Sequence, residues 1–111
     1  EKKFTMADCA TLTDGKRALD LGCNVIGTTL SGYTRETQPC GVEPDFDLLQ
    51  KFAQITEQYD SLVMAEGRFN TPQLAASALE NGADCVTVGS AITRMEHVVG
   101  WFFDAMQDTG R

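Results

Sequence analysis

The chain has 111 residues, enough for one domain (1–111), and a domain of this size buries roughly 60–70% of its unfolded surface. Its composition is that of a folded globular protein, and a formal net charge of −7 argues against nucleic acid, since a duplex asks for a basic face. A small phosphorylated ligand stays open, because it needs only a local positive site. The four cysteines, at 9, 23, 40 and 85, share no C-x-x-C spacing. They predict no zinc or redox motif but free, mostly buried thiols of a cytoplasmic protein. No apolar run approaches the ~20 residues of a membrane span. No pattern asks for a cofactor or a metal. The opening Glu1-Lys2-Lys3, with no methionine before it, reads as part of a longer protein.

In chain order, Phe4 to Cys9 is a short apolar run that predicts a buried strand carrying a carboxylate, Asp8, near its end. Thr11 or Thr13 as N-cap, then Ala18, Leu19 and Leu21, then Gly22 as a stop, predict a helix. Asn24 to Leu30 is rich in β-branched residues and predicts the second strand. A long loop from Ser31 to about Glu43 follows, and loops of that length in compact domains tend to be functional. Pro44 suits the first turn of a helix whose apolar face is Phe46, Leu48, Leu49, Phe52, Ala53 and Ile55.

Leu62 to Gly67 predicts a third strand, again ending on a carboxylate, Glu66, followed by Gly67 and Arg68. Thr71-Pro72 starts a helix that Gly82 ends. Cys85 to Val88 predicts the fourth strand, which runs into Gly89-Ser90 and a new helix. N–H groups at such a start favour an anion. Thr93 with Glu96 three residues on fits a capping box for the last helix. There Trp101, Phe102 and Phe103 are too apolar for one stripe, which predicts a second covered surface, either a dimer contact or the missing half.

The order is βα four times with nearly continuous apolar strands, so the prediction is a parallel sheet covered by helices. Ala18-Leu19-x-x-Gly22 recurs two units later as Ala78-Leu79-x-x-Gly82. A repeat of that size suits a (β/α)8 barrel, and four units are half of one. Barrels of this kind keep chemistry where strands end and helices begin. Those positions are Asp8, Thr28 to Gly32, Glu66-Gly67-Arg68 and Gly89-Ser90.

Four strings also carry a resemblance: Met6-Ala7-Asp8-Cys9, Ile26-Gly27-Thr28-Thr29-Leu30-Ser31-Gly32-Tyr33-Thr34, Ala65-Glu66-Gly67-Arg68-Phe69-Asn70-Thr71-Pro72, and Val88-Gly89-Ser90-Ala91-Ile92-Thr93-Arg94. Over nearly its whole length the chain resembles the C-terminal half of bacterial N-acetylmannosamine-6-phosphate 2-epimerase. The resemblance implies a (β/α)8 barrel of which these are strands five to eight. It also implies interconversion of N-acetylmannosamine 6-phosphate and N-acetylglucosamine 6-phosphate in sialic acid breakdown. By the same resemblance Glu66 is the active-site glutamate and Asp8 a sugar-contacting aspartate. Gly67, Arg68, Gly89, Ser90 and Arg94 would then hold the phosphate. Thr28 and Ser31 are candidates for sugar hydroxyls, and Tyr33 for a loop anchor or lid.

In that family the proton-transferring base is a lysine on the third strand, in the other half of the barrel. None of the four lysines here (Lys2, Lys3, Lys16, Lys51) ends a strand. The expected partners are therefore the missing N-terminal half, a phosphorylated N-acetyl amino sugar and a second copy in a dimer, with no membrane. Two rival readings stay open. A pentose-phosphate epimerase relative would bind a metal through histidines, and the single His97 speaks against it. An inactive half-barrel that self-pairs as an assembly module would cover its open edges.

Overall fold

The computed structural model describes residues 2–110. Its elements are β1 (Met6–Asp8), α1 (Leu12–Asp20), β2 (Val25–Gly27), α2 (Phe46–Thr56), β3 (Leu62–Glu66), α3 (Pro72–Glu80), β4 (Cys85–Thr87), the single-turn α4 (Ser90–Thr93) and α5 (Met95–Gln107). The strands are all parallel and lie side by side in chain order. Asp8 pairs with Gly27, Gly27 with Met64, and Glu66 with Thr87, which brings every strand's C-terminal end to one edge of the sheet.

The strands are shorter than the apolar runs around them. β2 stops at Gly27; just past it the Thr28 N–H still reaches the Met64 carbonyl (3.2 Å), and its hydroxyl donates to the Glu66 carbonyl (2.9 Å) and accepts the Glu66 N–H (3.0 Å). Phe4 and Thr5 lie outside β1, where Thr5 bonds Asn24 instead.

Helix starts follow local chemistry. Of the two candidate caps, Thr11 starts α1. Its hydroxyl accepts the Asp14 N–H (3.2 Å), and Asp14 accepts the N–H groups of Thr11 (2.9 Å) and Ala10 (3.0 Å). Desolvation pushes the Asp14 carboxyl up, but those N–H groups, the Thr11 side chain and the Arg17 charge together outweigh it and hold it below its ordinary value. Its small contribution to stability is therefore present above the ordinary carboxylate pKa and is lost as pH falls through the lowered one. Thr71 caps α3 with Pro72 first in the helix, as the sequence predicts.

Two predicted starts need correction. Pro44 stands outside α2, because the Asp45 carboxylate, which accepts the Leu48 N–H (2.9 Å), is the cap. The Thr93–Glu96 box does not form. Thr93 bonds the Gly89 carbonyl (3.1 Å) inside α4, Glu96 pairs with Arg94, and α5 begins without a side-chain cap.

Strand alternation divides the sheet residues between two faces. Ile26, Val63 and Ala65 join Leu19, Leu48, Leu49, Phe52, Phe69 and Ala78 in the core under the helices. Each large side chain fully buried there stabilises the fold by roughly 1.5–3 kcal/mol. On the other face Met6 and Leu62 remain 42% and 43% exposed, although both are strand residues. α5 has no buried residue, and Val99, Phe102, Phe103 and Met106 along it are all more than half exposed. The wide apolar surface predicted for this helix thus has no cover among the described residues, and the outer edges of β1 and β4 have no partner strand there.

Burial gives the thiols different reactivity. Desolvation, reinforced by Asp14 and Asp8, pushes Cys9 up to about 11, whereas Cys40 lies exposed in the 31–43 loop. At pH 8 a thiol reagent should therefore label Cys40 quickly and leave Cys9 until the protein unfolds; early labelling of Cys9 would contradict this packing. At Gly15 a Cβ would sit 2.6 Å from the ring of Phe52. Overpacking typically costs about 1–3 kcal/mol, more than the roughly 1 kcal/mol that alanine gains over glycine in a helix. Gly15→Ala should accordingly lower stability in urea unfolding, where a rise would show that α1 and α2 can move apart.

Candidate functional site

The strand ends hold a polar cleft of about 220 Å3. Glu66, Gly67 and Thr87 come from β3 and β4 and their ends, Thr29 and Tyr33 from the segment after β2, and Gly89 and Ser90 from the turn into α4. Phe69 and Asn70 close one wall. Asp8, at the end of β1, joins through Thr29. The Thr29 hydroxyl lies 2.9 Å from Asp8 Oδ1 and 3.4 Å from Glu66 Oε2, so two carboxylates from different strands share one neighbour.

The sheet explains which predicted residues face this cleft. Ile26 is in the core and Gly27 pairs with Asp8 on the opposite face, so alternation sends Thr28 inward to the core side and Thr29 out to the cleft. Thr28 is 3% exposed and spends its hydroxyl on the Glu66 backbone, which leaves it no reach to a sugar. Ser31 is also buried. Its hydroxyl donates to Asp45 Oδ2 (2.5 Å) and thereby fixes the α2 cap.

Arg68 forms part of the cleft wall, but its guanidinium is turned to the long loop. Nε donates to the Glu43 carbonyl (2.7 Å), and Nη1 to the Ser31 carbonyl (2.8 Å) and to Cys40 Sγ (3.0 Å). The guanidinium also lies over the Tyr33 ring, 5.5 Å from its centroid. Arg94 lies between α4 and α5, paired with Glu96 (2.5 Å) and outside the cleft lining. Of the five residues expected to hold a phosphate, Gly67, Gly89 and Ser90 thus line the cleft, while both arginines are engaged with protein groups. The Ser90 and Ala91 N–H groups open a helical turn and have no intrahelical acceptor.

Thr29 falls inside the predicted 28–32 stretch without a role of its own, and Thr87 lies outside every predicted site position. The signal that finds them is the two-residue period: counted from Asp8 through its partner Gly27, or back from Glu66 through Thr87, the cleft face follows. His97 sits on the exposed side of α5 beside Trp101, away from the strand ends. No cluster of three His, Cys, Asp or Glu side chains that could hold a metal occurs among the described residues.

Residues 1–108 match the model of the family described as "Putative N-acetylmannosamine-6-phosphate epimerase". A relative from Vibrio vulnificus, named as the corresponding 2-epimerase, is 54% identical over 104 residues, which are 94% of this chain and 44% of that protein. One from Actinobacillus pleuropneumoniae serotype 5b is 51% identical over 94% of this chain and 43% of its own length. The solved N-acetylmannosamine-6-phosphate 2-epimerase from Clostridium perfringens superposes with a TM-score of 0.83 at 38% identity, over 93% of this chain and 43% of that one. A mandelate oxidase, 18% identical with a TM-score of 0.64, shares the fold.

Four parallel βα units with a polar cleft at their C-terminal ends, seated on less than half of a barrel enzyme, make this chain half of a (β/α)8 barrel. It belongs to the N-acetylmannosamine-6-phosphate epimerase family. The chain spans less than half the length of these relatives.

The three hydrogen bonds and the ring contact of Arg68 make it the pin of the 31–43 loop. Arg68→Ala should raise amide exchange across residues 31–43 about tenfold or more while leaving β2 and β3 protected, since hydrogen bonds to a charged group are worth about 1.5–3 kcal/mol each. Unchanged exchange would mean that the loop is held by other contacts.

Proposed function

We propose that this chain is the C-terminal half of an enzyme that epimerises N-acetylmannosamine 6-phosphate and N-acetylglucosamine 6-phosphate at C2. The observation that carries this reading is the meeting of Glu66 and Asp8, through Thr29, in a cleft that also contains the Gly67 and Gly89-Ser90 backbone. The names of the relatives supply the sugar.

The chemistry follows from the substrate. In the open-chain sugar the C2 proton is acidic because it neighbours the C1 carbonyl. A base removes it, the electron pair moves into the carbonyl to give an enolate, and a proton returns to C2 on the opposite face. Each step needs a positioned acid or base. Glu66 supplies one such group at the cleft. The other is expected from the N-terminal half, as the lysine that the family resemblance implies. Lys16 lies in α1 and Lys51 in α2, where it pairs with Asp47 (2.6 Å); Lys2 and Lys3 precede β1, at the far end of the sheet. Asp8 orients the sugar. The N–H groups at Gly89-Ser90 and Gly67 receive the phosphate, as N–H groups at a helix start favour an anion.

A charged sugar phosphate does not cross a bilayer unaided, and no helix among the described residues is long and apolar enough to span one. The first of these supports a cytoplasmic site of action. The uncovered apolar face of α5 supports a covering surface in the intact protein, either a dimer contact or the N-terminal half.

The test is C2 proton exchange in D2O. The intact barrel should incorporate deuterium at C2 of N-acetylmannosamine 6-phosphate, and the 111 residues alone should not. Glu66→Gln should lower kcat by about 100-fold or more, the usual size of a general acid–base contribution. Exchange by the isolated chain would place the second proton-transfer group within it, and a fully active Glu66→Gln would remove Glu66 from the proton pathway.

A further inference from the structure

Two anionic side chains meet the same hydroxyl in this cleft, and a hydroxyl has one proton to give. We propose that Thr29 is a positioning residue of the C2 epimerisation: it ties Asp8 in place and leaves the Glu66 carboxylate free to exchange a proton with the sugar. The inference rests on the epimerase reading above.

The distances are unequal. The 2.9 Å contact to Asp8 Oδ1 takes the Thr29 proton, and the 3.4 Å contact to Glu66 Oε2 is left without one. Among the described residues the Glu66 carboxylate has no other hydrogen-bond partner, while its backbone is clamped on both sides by Thr28. Glu66 is thus fixed at its root and open at its tip. When Glu66 has taken the C2 proton, its O–H becomes a donor, and the lone pairs of the Thr29 oxygen face it. The hydroxyl then donates to Asp8 and accepts from Glu66 at once. The bond broken is C2–H and the bond formed is Glu66 O–H, with the C2 electron pair moving into the enolate; the second group then protonates C2 on the opposite face, Glu66 gives its proton back to solvent, and the Thr29 proton stays where it was throughout.

The position is built for this hydroxyl. A Cβ on Gly27 would meet Thr29 Oγ1 at 3.0 Å and the Met6 methyl at 2.7 Å, so the bare glycine leaves the room in which Thr29 sits. The Thr28 clamp places the neighbouring backbone relative to Glu66. No other side-chain hydroxyl among the described residues bonds either carboxylate.

The experiment compares Thr29→Val, which keeps the shape and removes the hydroxyl, with Thr29→Ser, which keeps the hydroxyl. Both are made in the intact barrel, this chain together with the N-terminal portion that its relatives carry. Steady-state kinetics on N-acetylmannosamine 6-phosphate should show Thr29→Val losing about ten- to a hundredfold in kcat, the effect of one hydrogen bond to a charged group. KM should stay within about threefold, the split that marks an interaction used in the transition state rather than in binding. Thr29→Ser should recover to within about threefold of the parent kcat. If Thr29→Val melts early, Thr29→Ala, which adds no bulk, is read in its place. A parent-like kcat without the hydroxyl, a loss confined to KM, or a serine variant as slow as the valine one would each overturn the positioning role and leave the epimerase reading intact. An intact parent with no C2 exchange would overturn that reading, and this inference with it.

Discussion

A buried threonine, Thr28, ties the end of β2 to the end of β3 beside the polar cleft. Thr28 Oγ1 both accepts from the Glu66 N–H and donates to the Glu66 carbonyl, so one side chain does the work of two ladder bonds. The geometry of the cleft depends on it. The clamp lies just past the end of β2 and fixes the root of Glu66, with Thr29 turned to the opposite face. A hydrogen bond of this kind is worth only about 1 kcal/mol net, but leaving its buried partners unmade costs about 1–3 kcal/mol for each group. The two strand ends are thereby locked in one relative position.

The long loop is organised by the same economy of charged groups. Arg68 takes a left-handed backbone conformation (φ 64°), a geometry that costs a residue with a side chain roughly 1–3 kcal/mol. In return its guanidinium reaches two carbonyls, a thiol and the face of Tyr33 across the loop. The loop carries no regular structure of its own, so these contacts and the Ser31–Asp45 bond are what hold it beside the cleft. A positive side chain beside a glycine at a strand end reads from sequence as a phosphate ligand. Here it is first an organiser of the wall.

Local rules covered much of this molecule. The Thr71-Pro72 start of α3, the alternation of strands and helices and the apolar face of α2 all follow from short-range preferences and periodicity. Glu66 and Asp8 were visible as carboxylates at strand ends. Thr28, Ser31, Arg68 and Arg94 were visible as polar residues at the correct end of the sheet, but not what each of them binds. Each is engaged by a group distant in sequence or by a competing neighbour: Thr28 by Glu66, Ser31 by Asp45, Arg68 by the carbonyls of Ser31 and Glu43, Arg94 by Glu96. A one-residue difference, Thr29 in place of Thr28, separates the hydroxyl that meets the carboxylates from the one that holds the backbone.

By itself the sequence determined the class of the fold and the end of the sheet where the polar cleft opens, because β-propensity, helix caps and glycine stops act within a few residues of one another. It also carried the family, since four short strings survive as strings. Only the tertiary structure decided which side chains look into the cleft and which are spent holding it. Strand register assigns each residue to a face, and a polar side chain goes to whichever partner the folded backbone brings within about 3 Å. The same limit applies to the outer edges of β1 and β4 and the apolar face of α5: their sequence records that they are apolar, and the folded chain alone leaves them uncovered.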